Sequence, residues 1–269
     1  SLSVSWGSEM CIRDRPKIIH YCWFSDEPLP PNLRMCMSTW RKVLPDYECR
    51  LWTLDSFDVN ALAWTREAYR AKAWAFLTDY VRLYALYEEG GIYLDTDVYV
   101  KKTFDSFLMD RFFTSIEYHP EMIESDELSD QRLDIEGINL FPGKRVPGLG
   151  LQAAILGAEK GHPYLEKAMA FYRNNHFIQN GKWFTDLIAP DVLALIAEDF
   201  GLKYNKDVEQ ELREGMKVYS YYIFGGAYTQ ITKDTVAVHL SAGGWRQRTF
   251  WRTFLTRINF YRKIFFASR

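Results

Sequence analysis

Long apolar runs are missing from this chain. No stretch of its 269 residues approaches the roughly eighteen consecutive apolar residues that a spanning helix needs. Cysteine is also scarce: Cys11, Cys22, Cys36 and Cys49 are the full set, all near the start, with no CxxC pair and no zinc-module spacing. With no signal peptide readable, reduced thiols and a cytoplasmic setting are expected. No Ser-His-Asp or Cys-His arrangement can be read, so nucleophilic hydrolysis has no sequence support. Internal repeats and low-complexity tracts are lacking too. Acidic residues are absent from 246–269, where seven Lys or Arg fall, so the formal charge of −2 conceals a −9 remainder. So acidic a body is a poor nucleic-acid binder.

What the chain has in plenty is hydrophobic residues, 48%, enough to bury a full core, and aromatics, 16% with nine Trp. Flat aromatic faces suit sugars and nucleobases. Residues 1–15 show no usable period and resemble translated adapter sequence fused to a reading frame. They are expected to be non-native, with the native chain beginning just before Pro16.

From there, PKIIHYCWF (16–24) reads as a strand and SDEPLPPN as a turn. Leu33–Val43 reads as a helix capped by Asn32, and YECRLWT (47–53) as a second strand. Strand, helix and strand in so short a span predict a parallel βαβ unit. After a helical connector over 55–70, a helix is expected over Ala71–Glu88, stopped by Gly90 as its C′ residue. Ala73, Phe76, Leu77, Tyr80, Tyr84 and Tyr87 form its packing stripe, and Asp79 and Arg82 share a side. The following strand carries Asp95-Thr96-Asp97. Period-two alternation puts Tyr93, Asp95, Asp97 and Tyr99 on one face, with the two acidic backbones roughly 6.6 Å apart. That face calls for a ligand, such as a divalent cation.

Further on, 102–135 is expected to be a mobile surface loop, 151–158 and 163–173 helices, and 191–200 a short helix. VYSYYIF (218–224) and TVAVHLSAGGW (235–245) read as strands. In the tail, Phe250, Phe254, Ile258, Tyr261 and Phe265 share a helical face opposite Arg252, Thr256 and Lys263. Two outcomes fit the tail: a peripheral position on an anionic inner membrane surface, or packing back on the domain.

A DxD pair alone is a weak signal. In context it is not. PKIIHYCWF, WAFLTDYVRLYALYEEGGIYLDTDV and AVHLSAGGW, in that order, resemble the blocks of glycosyltransferase family 32, the glycosyltransferases with a DXD-containing sugar-binding region. This family includes capsular polysaccharide enzymes and is related to large glucosylating toxins. The resemblance implies one domain over 16–245, an α/β fold of GT-A type with a Rossmann-like mixed sheet and flanking helices. It further implies a retaining sugar transfer from a nucleoside diphosphate, with UDP favoured, to a glycan or lipid-linked glycan in surface polysaccharide synthesis. Carried over by position, Trp23 would stack on the base and Asp79 and Arg82 would hold the donor sugar. Tyr93 would line the donor pocket, and Asp95 would touch the ribose and the metal shell. Asp97 and His239 would ligate Mn²⁺, with Mg²⁺ tolerated, and Ser241 is a lesser candidate. Trp245 would close over the diphosphate, and Gln152 would lie near the reacting sugar. His20, His119, His162 and His176 are expected to be structural. The alternatives are a metal-dependent nucleotide-sugar phosphohydrolase and an inactive sugar-nucleotide binder.

Overall fold

The computed structural model describes residues 16–124, 132–226 and 228–241, together with 262 and 265. The two terminal expectations therefore lie outside the described residues. These are the non-native extension over 1–15 and the basic aromatic tail over 246–269, within which only Arg262 and Phe265 are described, each helical; Trp245 also lies outside the described residues.

The chain is an α/β fold around a mixed sheet, as expected. β1 (Ile18–Cys22), β2 (Glu48–Trp52) and β3 (Gly91–Leu94) run parallel, β1 in the middle of the three. Beyond β3 lie β7 (Ile155–Ala158), β5 (Phe112–Tyr118), β11 (Met216–Tyr219) and β10 (Gln210–Leu212). β7 is antiparallel to both β3 and β5, and β6 (Leu149–Leu151) pairs off the far end of β5. A smaller sheet joins β12 (Phe224–Gly225), β13 (Ala237–His239) and β4 (Val98–Val100), while β8 (Ile178–Gln179) and β9 (Lys182–Trp183) make a hairpin.

β3 is buried on both faces and shows how the layers form. Ile92 and Leu94 join a cluster with Trp40, Phe104, Phe113 and Phe224. Tyr93 points the other way, into the larger core beneath the helices. Those helices are α2 (Ala63–Arg70), α3 (Trp74–Glu89), α5 (Pro163–Arg173) and α6 (Ala189–Glu198). On the opposite side, α1 (Pro31–Val43) covers β4: Trp40 Nε1 donates to Val98 O at 2.8 Å, and Thr39 Oγ1 accepts from Val100 N at 3.0 Å. Gly90 ends α3 at φ +69°, a conformation that favours glycine.

Several expectations need correction. Asp95–Asp97 are not in a strand: β3 stops at Leu94, and Val98 N donates to Asp95 O at 3.0 Å, closing a turn between the two sheets. Period-two geometry therefore does not govern the acidic pair, and Tyr99 packs with Cys36, Val238 and Leu240 instead of beside Tyr93. The segment 151–158 is not a helix but the end of β6, a bend and β7; a short apolar run of this kind does not by itself separate buried strand from buried helix. The expected loop over 102–135 contains β5, whose Phe112 to Ile116 are buried, and α4 (Pro120–Glu124). The expected strand over 218–224 is split by a turn into β11 and β12. Asn32 is no cap: α1 starts after Pro30, with no side-chain cap bond. The helix expected from Ala71 is preceded by a separate α2, with Lys72 at φ +53° between them.

Candidate functional site

The turn Asp95–Asp97 lies where the parallel strands β1 and β3 reach their carboxyl ends, the usual place for ligands in open α/β sheets. Antiparallel pairing of β13 with β4 sets His239 opposite Val98, and Leu240 N donates to Asp97 O at 3.1 Å. Register alone thus brings a histidine from the far end of the chain beside the acidic turn. His239 Nε2 stands 3.4 Å from Asp97 Oδ1, and one ligand atom each from Asp95, Asp97 and His239 lie within 4.8 Å of one another. Burial alone would lower the His239 pKa, yet the negative field and hydrogen bond of Asp97, with Asp95 behind, raise it.

Under this cluster sits a buried charged layer supplied by α3. Arg82 Nη2 donates to Asp79 Oδ1 at 3.0 Å and to Thr78 Oγ1 at 3.2 Å, Nε donates to Thr78 O at 3.1 Å, and Nη1 donates to Ala153 O at 2.6 Å. Nη1 also faces Asp95 Oδ2 at 3.7 Å, and the guanidinium lies 5.0 Å from the centre of the Tyr93 ring. Every edge of Arg82 therefore meets an acceptor or a ring. Burial would lower its pKa, but the charge of Asp95, with Tyr93 and Asp79, holds it above the ordinary value. Burial pushes Asp79 up to about 7, with Arg82 pulling against it. Tyr93 O–H donates to Asp95 Oδ1 at 2.8 Å, fixing that carboxylate from below.

Gln152, 2% exposed, sits behind the turn. Its Oε1 accepts from Ala154 N at 3.0 Å, while Ala154 O accepts from Asp95 N at 2.9 Å. Gln152 thereby holds the strand that holds Asp95. Ser241 is exposed, at φ +51°, and lines a cavity with Gln152 and His239. Trp23 is half-buried just past β1, its Nε1 donating to Glu27 O at 2.8 Å. Glu117 and His119, which sequence reasoning left in a loop, line the same cavity as Gln152. Both lie at the end of β5, where residues 112–116 are buried on both faces and carry no polar–apolar alternation to mark the strand.

The other histidines have structural partners. His20, fully buried, takes a hydrogen bond from Trp52 Nε1 at 3.0 Å and meets Gly90 O at 2.8 Å; His162 caps α5 by accepting from Tyr164 N at 3.2 Å, and His176 pairs with Glu67. Cys22, Cys36 and Cys49 are free, and burial pushes the first two up to about 12, which leaves them inert as nucleophiles.

Residues 30–114 match the family described as "Glycosyltransferase sugar-binding region containing DXD motif". The likeness to that family is confined to this stretch. That region holds Asp79, Arg82, Tyr93, Asp95 and Asp97, whereas Trp23, Gln152, His239 and Ser241 lie outside it. The chain is 28% identical over 170 residues to "Inositol phosphoceramide mannosyltransferase 3" of Schizosaccharomyces pombe, covering 60% of this chain and 39% of that one. It is 26% identical over 156 residues to "Inositol phosphoceramide mannosyltransferase 2" of the same yeast, covering 56% and 36%. The chain thus spans less than two fifths of the length of these curated relatives. Among solved structures it is similar to "PaToxG Glycosyltransferase", with a TM-score of 0.46, 16% identity and 69% of each chain covered.

Proposed function

We propose that the chain transfers a sugar from a nucleoside diphosphate donor to a glycan or lipid-linked glycan, using a GT-A type arrangement of donor and metal. The observation that carries this reading is the convergence of His239 with Asp95 and Asp97 above the buried Arg82–Asp79 pair, inside and beside a DXD region. The donor set fits a hard divalent cation: two carboxylates and one imidazole, with ligand atoms already within 4.8 Å, suit Mn²⁺ and tolerate Mg²⁺. Asp95, Asp97 and His239 would hold it, and when bound it would neutralise charge on the departing diphosphate.

The residues themselves have distinct tasks. Arg82 fixes the Asp79 and Asp95 carboxylates, Tyr93 orients Asp95, and Asp79 meets the donor sugar's hydroxyls. Trp23, at the carboxyl end of β1, offers its ring to the base, and Ser241 and Trp245 serve the donor's phosphates. Retention of anomeric configuration and a role in surface polysaccharide synthesis are part of the proposal on family resemblance alone. The expected donor was a UDP-sugar, and the relatives' names add mannosyl donors beside it. The tail's basic and aromatic composition supports peripheral attachment of a cytoplasmic protein to an anionic membrane. Equal liposome flotation of the full chain and of a chain ending at Gln247 would remove that part.

A thermal-shift panel of UDP- and GDP-sugars, with and without Mn²⁺, tests the core. One donor is expected to raise the midpoint only with Mn²⁺, and Asp97→Asn is expected to abolish that increment. An unchanged increment in the variant overturns the metal assignment. Release of free sugar at a rate no added acceptor changes would favour a phosphohydrolase instead.

A further inference from the structure

The last turns of α1 do more than cover the smaller sheet. Leu33, Cys36 and Trp40 recur at i, i+3 and i+7 and form the buried face of the helix. Trp40 is 1% exposed, and an indole N–H can only donate, so burial obliges it to find an acceptor. The acceptor it meets is Val98 O, at 2.8 Å, one residue past Asp97. β4 is the outer strand of the small sheet, with His239 of β13 opposite Val98 on its inner side. On its outer side the hydrogen bonds come from α1 side chains. Trp40 serves Val98 O, and Thr39 Oγ1 accepts from Val100 N at 3.0 Å. The Thr39 hydroxyl donates its own proton to Cys36 O at 2.6 Å, which leaves its lone pairs for Val100.

These bonds bear on the acidic turn. Asp97 O accepts from Leu240 N at 3.1 Å, Val98 N donates to Asp95 O at 3.0 Å, and Val98 O takes the indole proton. The two peptide groups that follow Asp97 are thereby both pinned. The indole also meets the ring of Tyr21 on β1 edge to face, centres 5.7 Å apart. Trp40 therefore touches the large sheet through Tyr21 and the small one through Val98, at the joint that Asp95–Asp97 spans. Resting on the cation site already proposed, we propose that Trp40 is a positioning residue for that cation. Its N–H fixes Val98, and with it the spacing of Asp97 from Asp95 and His239. Thr39 assists by holding Val100.

Titration of the full chain with Mn²⁺ alone, read by the paramagnetic resonance of the free aquo ion, tests this without turnover. It yields both a Kd and a number of sites. Trp40→Phe keeps a ring in the core but loses the N–H. Groups that orient a ligand without touching the ion typically change affinity by about tenfold or more, so its Kd is expected to rise about tenfold with the number of sites retained. Thr39→Val, which removes the acceptor for Val100 N, is expected to weaken binding about threefold, and Thr39→Ser, which keeps the hydroxyl, to bind as the wild type does. A variant that merely folds less well loses sites and keeps its Kd. A wild-type Kd in Trp40→Phe, with or without loss of sites, therefore overturns the proposal. Should circular dichroism show Trp40→Phe unfolded, the Thr39 pair decides, and equal Kd values for Val and Ser overturn it. No binding by the wild type, or full binding by Asp97→Asn, overturns the cation site itself and this proposal with it.

Discussion

Arg82 ties together much of the candidate site. Its side chain is 5% exposed, paired with Asp79 at 3.0 Å and facing Asp95 at 3.7 Å. An exposed i,i+3 pair contributes roughly 0.3–0.5 kcal/mol, but removing one partner of a buried pair strands the other charge. Arg82→Ala is therefore expected to cost about 3–5 kcal/mol in urea unfolding at pH 8. The loss should shrink at pH 5, where Asp79 takes up a proton and the stranded charge disappears. At this scale the sequence pattern pointed to a group of charged residues but not to how they meet. Asp79, Arg82, Asp95 and Asp97 were readable from local pattern. That Arg82 spends its donors on Thr78, Ala153 and Asp79 was not, because Ala153 arrives from a segment read as helix.

Among the elements, β7 passes close under β5 at Gly157. A methyl group added at Gly157 would stand 2.0 Å from Phe113 Cε1, and that ring is wedged between Phe104, Phe107 and Phe224. Gly157→Ala should therefore lose about 1–3 kcal/mol or more by overpacking, measured as the urea midpoint. The same contact explains why β5 and β7 escaped sequence reading. Both strands are buried on two faces, so neither shows alternation between polar and apolar positions. β1, α1 and β2 were legible because Pro-rich turns bracket them and the helix is amphipathic. The acidic turn was misread as strand because Asp95 to Val100 alternates well, and only pairing of β4 with β13 reveals the break.

For the molecule as a whole, pH acts through groups of opposite sense. Burial lowers His20 and His162, so the stability each contributes is present above the unfolded value of 6.5 and lost as pH falls through it. Asp79, raised by burial, does the reverse, its contribution fading as pH rises towards about 7. A difference measurement isolates one of them. His162→Asn keeps an N-cap acceptor for Tyr164 N without a titrating ring. Between pH 7.5 and 5.5 the wild type should lose up to about 1.4 kcal/mol relative to that variant, read from paired urea curves. Class and sheet type were legible from the βαβ start and the periodic helices, whereas the second sheet was not, since strands of two or three residues leave almost no pattern.

That second sheet has a mechanical consequence. Asp95 hangs from the end of the large sheet, whereas His239 belongs to the small one. Whatever both side chains grip at once would act as a rivet through two plates, adding a fastening to the core they already share. Stiffness of the chain then becomes a gauge of occupancy, legible far from the ligand itself.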